Sequence, residues 1–408
     1  MDDLRATLGA YDADAPLPAA PDPWDYLPMP ALREGPPWAM AEAIAAAPGL
    51  VARIGRRLLA DGSAATLAAM LRDEAEHGEP VVITGCGTSE HAAMATAAIL
   101  RESWRTAGLP GTGPVSEQAM ELALNPPAGG LVIGISHEGG SAATVAALAA
   151  ARARGARTVA IAAAPSGSPV TNDVGGVLAT IEMDPSWCHT VGYVSPLAAA
   201  TVTAGLLAGH TPDPDRLAAR VAAGIDAAFG PHAPLGAELA SMNRLLVIAS
   251  GVDRVTAKEL ALKIEEAAWI PTVARDLETF LHGHIPSTGD GAGLVLVLLE
   301  REALEQRSAR ARQALAAAAE VGVRCAAILG ADAAALLPGR LTPAGRIVVA
   351  EASRMPGAPA ALLGAAAPIQ LLTLAISEAR GTNPDPIRRD DARYLRAAAI
   401  ADMPQPAD

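Results

Sequence analysis

The sequence predicts an α/β protein made of two tandem three-layer αβα domains with parallel sheets, the second a duplicate of the first. Three observations carry this. Short β-branched runs alternate with Ala- and Leu-rich helical segments, the pattern of a parallel sheet covered on both faces. Two of the runs end in a Gly/Ser loop that opens a helix: PVVITGCGTSEHA at 80–92 and LVIGISHEGGSAATV at 131–145. The whole pattern then returns roughly 165 residues later, as a duplicated unit would.

In order, residues 1–37 are Pro-rich and polar and read as an extended arm. Residues 38–228 form the first domain: a helix at 38–60 interrupted near Pro48, a strand at 80–84, a helix to about 103, and a strand at 131–135 with a helix at 141–154. Strands at 158–164 and 177–183 complete it. Residues 229–378 form the second domain, with the domain boundary expected within 225–240. There LLVIA at 245–249, followed by Ser250 and Gly251, leads into a helix at 254–268. A strand at 294–299, a helix at 303–320 and a strand at 325–329 echo the first domain. The counterpart of SHEGGS is LEREALE, without Gly or Ser, so one complete ligand site per chain is expected. Residues 379–408 read as a tail over the site, too rich in Pro and charge at 381–398 to pack as a core strand.

Composition bounds the function. The 408 residues are 51% hydrophobic but only 3% aromatic, so Ala, Leu and Val must fill the cores. Lys+Arg 31 against Asp+Glu 44 leaves a net charge of −13, which argues against nucleic acid and anionic membranes as partners. Three scattered cysteines make no disulfide framework, and the acidic start is no signal peptide, so the expected compartment is the cytoplasm. The apolar run at 358–376 contains Pro368 and Gln370 and reads as a buried helix rather than a membrane span.

The chemistry is concentrated in three stretches. In the first loop, Gly87 lets the backbone approach a ligand closely, Cys86 stands beside it, and Thr88 and Ser89 offer hydroxyls at a helix start. Helix capping by Ser89 is the plain alternative, but a second such loop after a neighbouring strand favours a ligand. That loop holds Ser136, His137, Glu138 and Ser141. A carboxylate beside a bound phosphate is repulsive, so Glu138 bears on the substrate.

The third stretch is KELALKIEEAAWIPTVARDLETFLHGHIPST at 258–288. It holds the only two lysines of the chain, Lys258 and Lys263. On a helix, Lys263 shares a face with Glu259 and Glu266. Surface ion pairing is expected for Glu259 and Glu265, whereas Glu266 lies among apolar residues as a usable general base. His282 and His284 can carry protons near neutral pH. They lack further ligands at metal-binding spacing, so neither metal nor cofactor is expected.

CGTS, the IS-x-x-G loop, ALKIEE and HGH, in this order, resemble the sugar isomerase (SIS) family over residues 38–395. The closer resemblance is to the two-domain isomerase half of glutamine:fructose-6-phosphate amidotransferase and to related sugar-phosphate isomerases and amino-sugar-phosphate deaminases. It implies Glu266 as the catalytic base, His282 as the ring-opening group and Lys263 as its partner. Thr88, Ser89, Ser136 and Ser141 would then be ligand-loop hydroxyls. It further implies a homodimer in which His282 reaches the neighbouring subunit's site. No glutaminase part is expected within these residues.

Departures from the family pattern touch the substrate. His137 and Glu138 replace a glutamine and a serine of the second loop. His189, followed by Thr190, replaces a serine of a further loop, and Ala392 with Arg393 stands where the family has a C-terminal lysine. Either His137, His189 and Lys263 rebuild an anion site around Glu138, or the ligand's distal end is neutral or cationic; the second is preferred. The expected activity is aldose–ketose isomerisation of a sugar or amino-sugar derivative. An amino-sugar deaminase is the alternative, and a non-catalytic sugar-binding regulator the reading from another class.

Overall fold

The computed structural model describes residues 15–25, 30–352 and 354–401. They divide into two compact units, each treated by itself. The N-terminal unit holds 50–214 with 16–25, 30–43 and 383–401; the C-terminal unit holds 215–352 and 354–382 with 15 and 44–49.

The N-terminal unit is built on five parallel strands: β1 (Val81–Gly85), β2 (Val115–Gln118), β3 (Leu131–Ile135), β4 (Arg157–Ala162) and β5 (Val177–Ala179), in the order β2-β1-β3-β4-β5. The C-terminal unit repeats this with β6 (Arg244–Ala249), β7 (Thr272–Asp276), β8 (Ala292–Leu298), β9 (Arg324–Gly330) and β10 (Gly345–Val349), in the order β7-β6-β8-β9-β10. The strand permutation is identical, so the repeat seen in the sequence is a repeat of topology. β1, β3 and β8 are buried along their whole length, which is why they read as unbroken apolar runs.

β2, β7 and β10 escape the sequence reading. VSEQ, TVARD and GRIVV are sheet-edge strands with partly exposed residues and a weak apolar signal. β5 stops at Ala179, short of the expected 183, because Ile181 takes φ 69° and turns the chain away. The arm then pairs with the freed segment: Ala20 N–H donates to the Ile181 carbonyl, and Met183 N–H to that of Pro18. The helix Ala39–Ala60 runs through Pro48 without the expected interruption. Burial of Ile44, Leu50, Val51 and Ile54 on either side offsets the roughly 3 kcal/mol that an interior proline costs.

The helix Gly357–Arg380 is the one described helix long and apolar enough to cross a membrane, and its apolar window is wholly buried within the protein. It packs on the helices His232–Ala240 and Asp253–Ala268. The tail is not purely superficial. Asp385 is fully buried, and its carboxylate accepts the N–H groups of Ala39 and Met40 at 2.8 and 2.9 Å. The helix needs this distant cap because Trp38, at its N-cap, has no side-chain oxygen to offer.

Candidate functional site

In a parallel sheet of this order, ligands collect beyond the carboxyl ends of the two strands where the winding reverses, here β1 and β3. Both Gly/Ser loops open there. After β1 the chain turns sharply into the helix Thr88–Thr106. A Cβ on Gly85 would lie 2.5 Å from the Ser89 carbonyl oxygen, and Gly87 sits at φ 57°, ψ −126°, so both glycines are required by the turn. Thr88 is buried and Ser89 half-buried. The Cys86 thiol lies 3.8 Å from the Thr144 hydroxyl, which donates to Ser141 Oγ at 3.3 Å, tying the first loop to the second.

In the second loop Ser136 and His137 are buried. His137 Nε2 accepts the Asp184 N–H at 2.9 Å, which leaves the ring neutral with its proton on Nδ1. Burial pushes its pKa down to about 3, with the charge of His189 acting the same way and Glu138 opposing. Gly192 makes room for this ring; a Cβ there would lie 3.2 Å from His137 Cγ. Glu138 Oε1 lies 3.1 Å from His189 Nε2. Burial would raise the Glu138 carboxyl, but His189, His137 and the charge of Arg389 together hold it below its usual range. Glu138 is therefore compensated. Asp184 Oδ2 accepts the N–H groups of Thr190 and Val191 at 2.6 Å and caps the helix Val191–Leu207. Burial pushes the Asp184 carboxyl up against the pull of His189 and these backbone donors.

Several contributors here carried no sequence signal. Trp24, from the Pro-rich arm, donates its indole N–H to the Glu138 carbonyl at 2.7 Å. From the tail it is Arg389 whose charge reaches Glu138 and whose guanidinium lies 5.0 Å over the Trp187 ring. Arg393, four residues on, is exposed and paired with Asp391.

In the C-terminal unit, the helix Asp253–Ala268 carries Glu259, Lys263 and Glu266. Lys263 is fully buried, with Nζ 2.5 Å from Glu266 Oε2 and 3.8 Å from Glu259 Oε1. The surface ion pair expected for Glu259 is corrected: Glu259 is fully buried, because its face of the helix turns inward. The Glu266 side chain keeps 22% exposure. Glu265 is the outward carboxylate, and its Oε1 accepts the Thr272 N–H. His282 sits in a kinked turn with Gly283 at φ 117°. Its Nε2 lies 3.1 Å from Glu278, which Arg310 grips with both arms of its guanidinium. Nearby His284 is half-buried. Among the described residues no group of three His, Cys, Asp or Glu could hold a metal ion.

The carboxyl edge of the second sheet, where β6 and β8 end, is filled by its own side chains. Asp253 Oδ2 accepts the N–H groups of Leu299 and Glu300, both at 2.7 Å. Burial pushes this carboxyl up to about 7; the two N–H groups pull it down, Glu300 pushes it further up, and Arg307 opposes. Arg307 reaches back to donate to Ser250 Oγ at 2.6 Å.

Residues 77–204 match the family model described as SIS domain. No curated protein matches the chain. Among solved structures, the C-terminal domain of glucosamine-fructose-6-phosphate aminotransferase from Francisella tularensis aligns with a TM-score of 0.72 at 18% identity, over 87% of this chain and 99% of that one. Tagatose-6-phosphate ketose/aldose isomerase from Escherichia coli aligns at 0.71 and 18%, over 89% and 98%. Glucosamine-6-phosphate deaminase from Thermotoga maritima aligns at 0.61 and 14%, over 85% and 96%. Over the aligned residues the chain shares their fold.

Proposed function

We propose that the protein is a cytoplasmic aldose–ketose isomerase acting on a sugar or amino-sugar derivative that carries no phosphate where the 136–141 loop receives it. The observation that carries this reading is the buried Lys263 beside the partly open Glu266, 2.5 Å apart on one helix. Glu266 moves a proton between C1 and C2 through an enediol, and Lys263 steadies the charge that develops. His282 passes a proton to the ring oxygen and opens the ring. Its side chain is 73% exposed, which suits a group offered to a neighbouring subunit in a homodimer. The loops after β1 and β3 bind the sugar. Support for a ligand without phosphate there comes from Glu138, whose carboxylate takes up the nearby His189 and leaves the loop no surplus positive charge for a dianion.

Glu266→Gln tests the reading: turnover should vanish while the sugar still binds, and unchanged turnover would refute it. Release of ammonia from an amino-sugar would favour a deaminase. Sugar binding without turnover in the wild-type protein would favour a regulator.

A further inference from the structure

The duplicated fold contains its own control for what the first sheet's edge binds. Gly87 and Gly251 each stand two residues past the end of the first strand of their sheet, at φ 57° and 62°. Aligning them places Thr84 on Ile248 and Ser89 on Asp253. The pairs Thr84–Gly134 and Ile248–Leu296 then place His137 on Leu299 and Glu138 on Glu300. Both halves thus carry a glutamate at the same point of the second loop.

In the C-terminal unit that loop holds a carboxyl group. Asp253 Oδ2 takes the N–H groups of Leu299 and Glu300, while Glu300 turns aside to accept from Val252 and Glu302. In the N-terminal unit the equivalent N–H groups, of His137 and Glu138, have no acceptor among the described residues. Serine at 89 is one atom too short to supply one. Glu138 again turns aside, to His189. A Cβ at Gly251 would lie 2.7 Å from the Arg307 guanidinium, whereas one at Gly87 would meet nothing within 4 Å. What side chains fill in one half is left open in the other.

We infer that the 86–89 and 136–141 loops receive a carboxylate of the ligand on the His137 and Glu138 N–H groups, beside Ser89, and that the substrate class is a sugar acid of the hexuronate type. The inference rests on the proposed function only in taking the ligand to be a sugar. The neutral or cationic end preferred from sequence gives way, because Asp253 shows that the two N–H groups at this point hold a carboxyl group with a glutamate beside it. A phosphate dianion doubles the repulsion with Glu138 and asks for more donors than the loop offers.

The test is a titration of the 15N-labelled full chain at constant ionic strength, following the His137 and Glu138 amide signals. The probes are acetate, inorganic phosphate, D-glucuronate, D-glucose and D-glucose 6-phosphate. Acetate and glucuronate should move both signals, with glucuronate binding about tenfold tighter than glucose 6-phosphate. Ser89→Asp, which copies Asp253, should fill the site from within and abolish both responses. Tighter binding of the phosphates, no movement with any anion, or undiminished glucuronate binding by Ser89→Asp would each overturn the inference. Because binding and not turnover is read, that failure is separate from a failure of Glu266→Gln.

Discussion

Lys263 is buried with its ammonium shared between two carboxylates, 2.5 Å from Glu266 and 3.8 Å from Glu259. Glu259 has no exposed surface, so the lysine compensates its charge as well as that of Glu266. Removing one member of such a set strands the other. Lys263→Met should cost about 3–5 kcal/mol in urea unfolding, and adding Glu259→Gln should return a good part of it. If the single and double variants unfold alike, Glu259 is not the group that Lys263 compensates.

Two buried groups should tilt stability with pH in opposite directions. His137 titrates at about 3 in the fold against an ordinary 6.5. Between these values the unfolded chain takes a proton that the fold refuses, so stability falls on acidification by about 1.4 kcal/mol per pH unit. Asp253 titrates at about 7 against an ordinary 3.8. In that window the fold holds a proton that the unfolded chain releases, so stability rises on acidification. The two slopes oppose each other across most of their range. His137→Gln should leave a protein that gains stability from pH 7 to 4, and Asp253→Asn one that loses it, both read from urea midpoints. Parallel slopes in the two variants would show that other groups govern the profile.

What the sequence made legible was periodic or locally punctuated. The buried strands β1, β3 and β8 are continuous apolar runs, both Gly/Ser loops are marked by glycine next to small hydroxyls, and the repeat follows from their recurrence. Illegible were the features made by partners distant in the chain. Asp385 caps a helix that begins 346 residues earlier, and Trp24 reaches Glu138 across 114. Neither position has a local signature. Glu259 misled for a related reason: a charged pair at i, i+4 is usually solvated, and only the packing of its helix decides otherwise. His189, one of the three residues that the sequence reading offers around Glu138, lies 3.1 Å from it, and only the fold selects it.

The turn at the first loop should respond differently at its two glycines. At Gly87 an added Cβ meets no atom, so Gly87→Ala tests backbone strain alone, about 1–3 kcal/mol at φ 57°, ψ −126°. At Gly85 the added Cβ lies 2.5 Å from the Ser89 carbonyl, and the start of the helix Thr88–Thr106 must shift. Gly85→Ala should therefore lose ligand affinity out of proportion to its loss in Tm. Equal ratios of the two losses in both variants would mean that the helix start does not position the ligand.

Asp184 performs two tasks with different atoms. Its carboxylate caps the helix Val191–Leu207 through Thr190, Val191 and Gly192, and its backbone N–H fixes the tautomer of His137. Asp184→Ala strands the capped donors and should cost about 2–3 kcal/mol, with faster hydrogen exchange over residues 190–192. Asp184→Asn keeps an acceptor oxygen and the backbone N–H, so it should cost about 1 kcal/mol and leave the His137 ring signals in place. Since the start of that helix also carries Gly192, against which the His137 ring packs, the alanine variant should disturb the 136–141 loop and weaken ligand binding. The asparagine variant should not. Equal loss of affinity in both would assign the effect to the carboxylate's charge rather than to the cap.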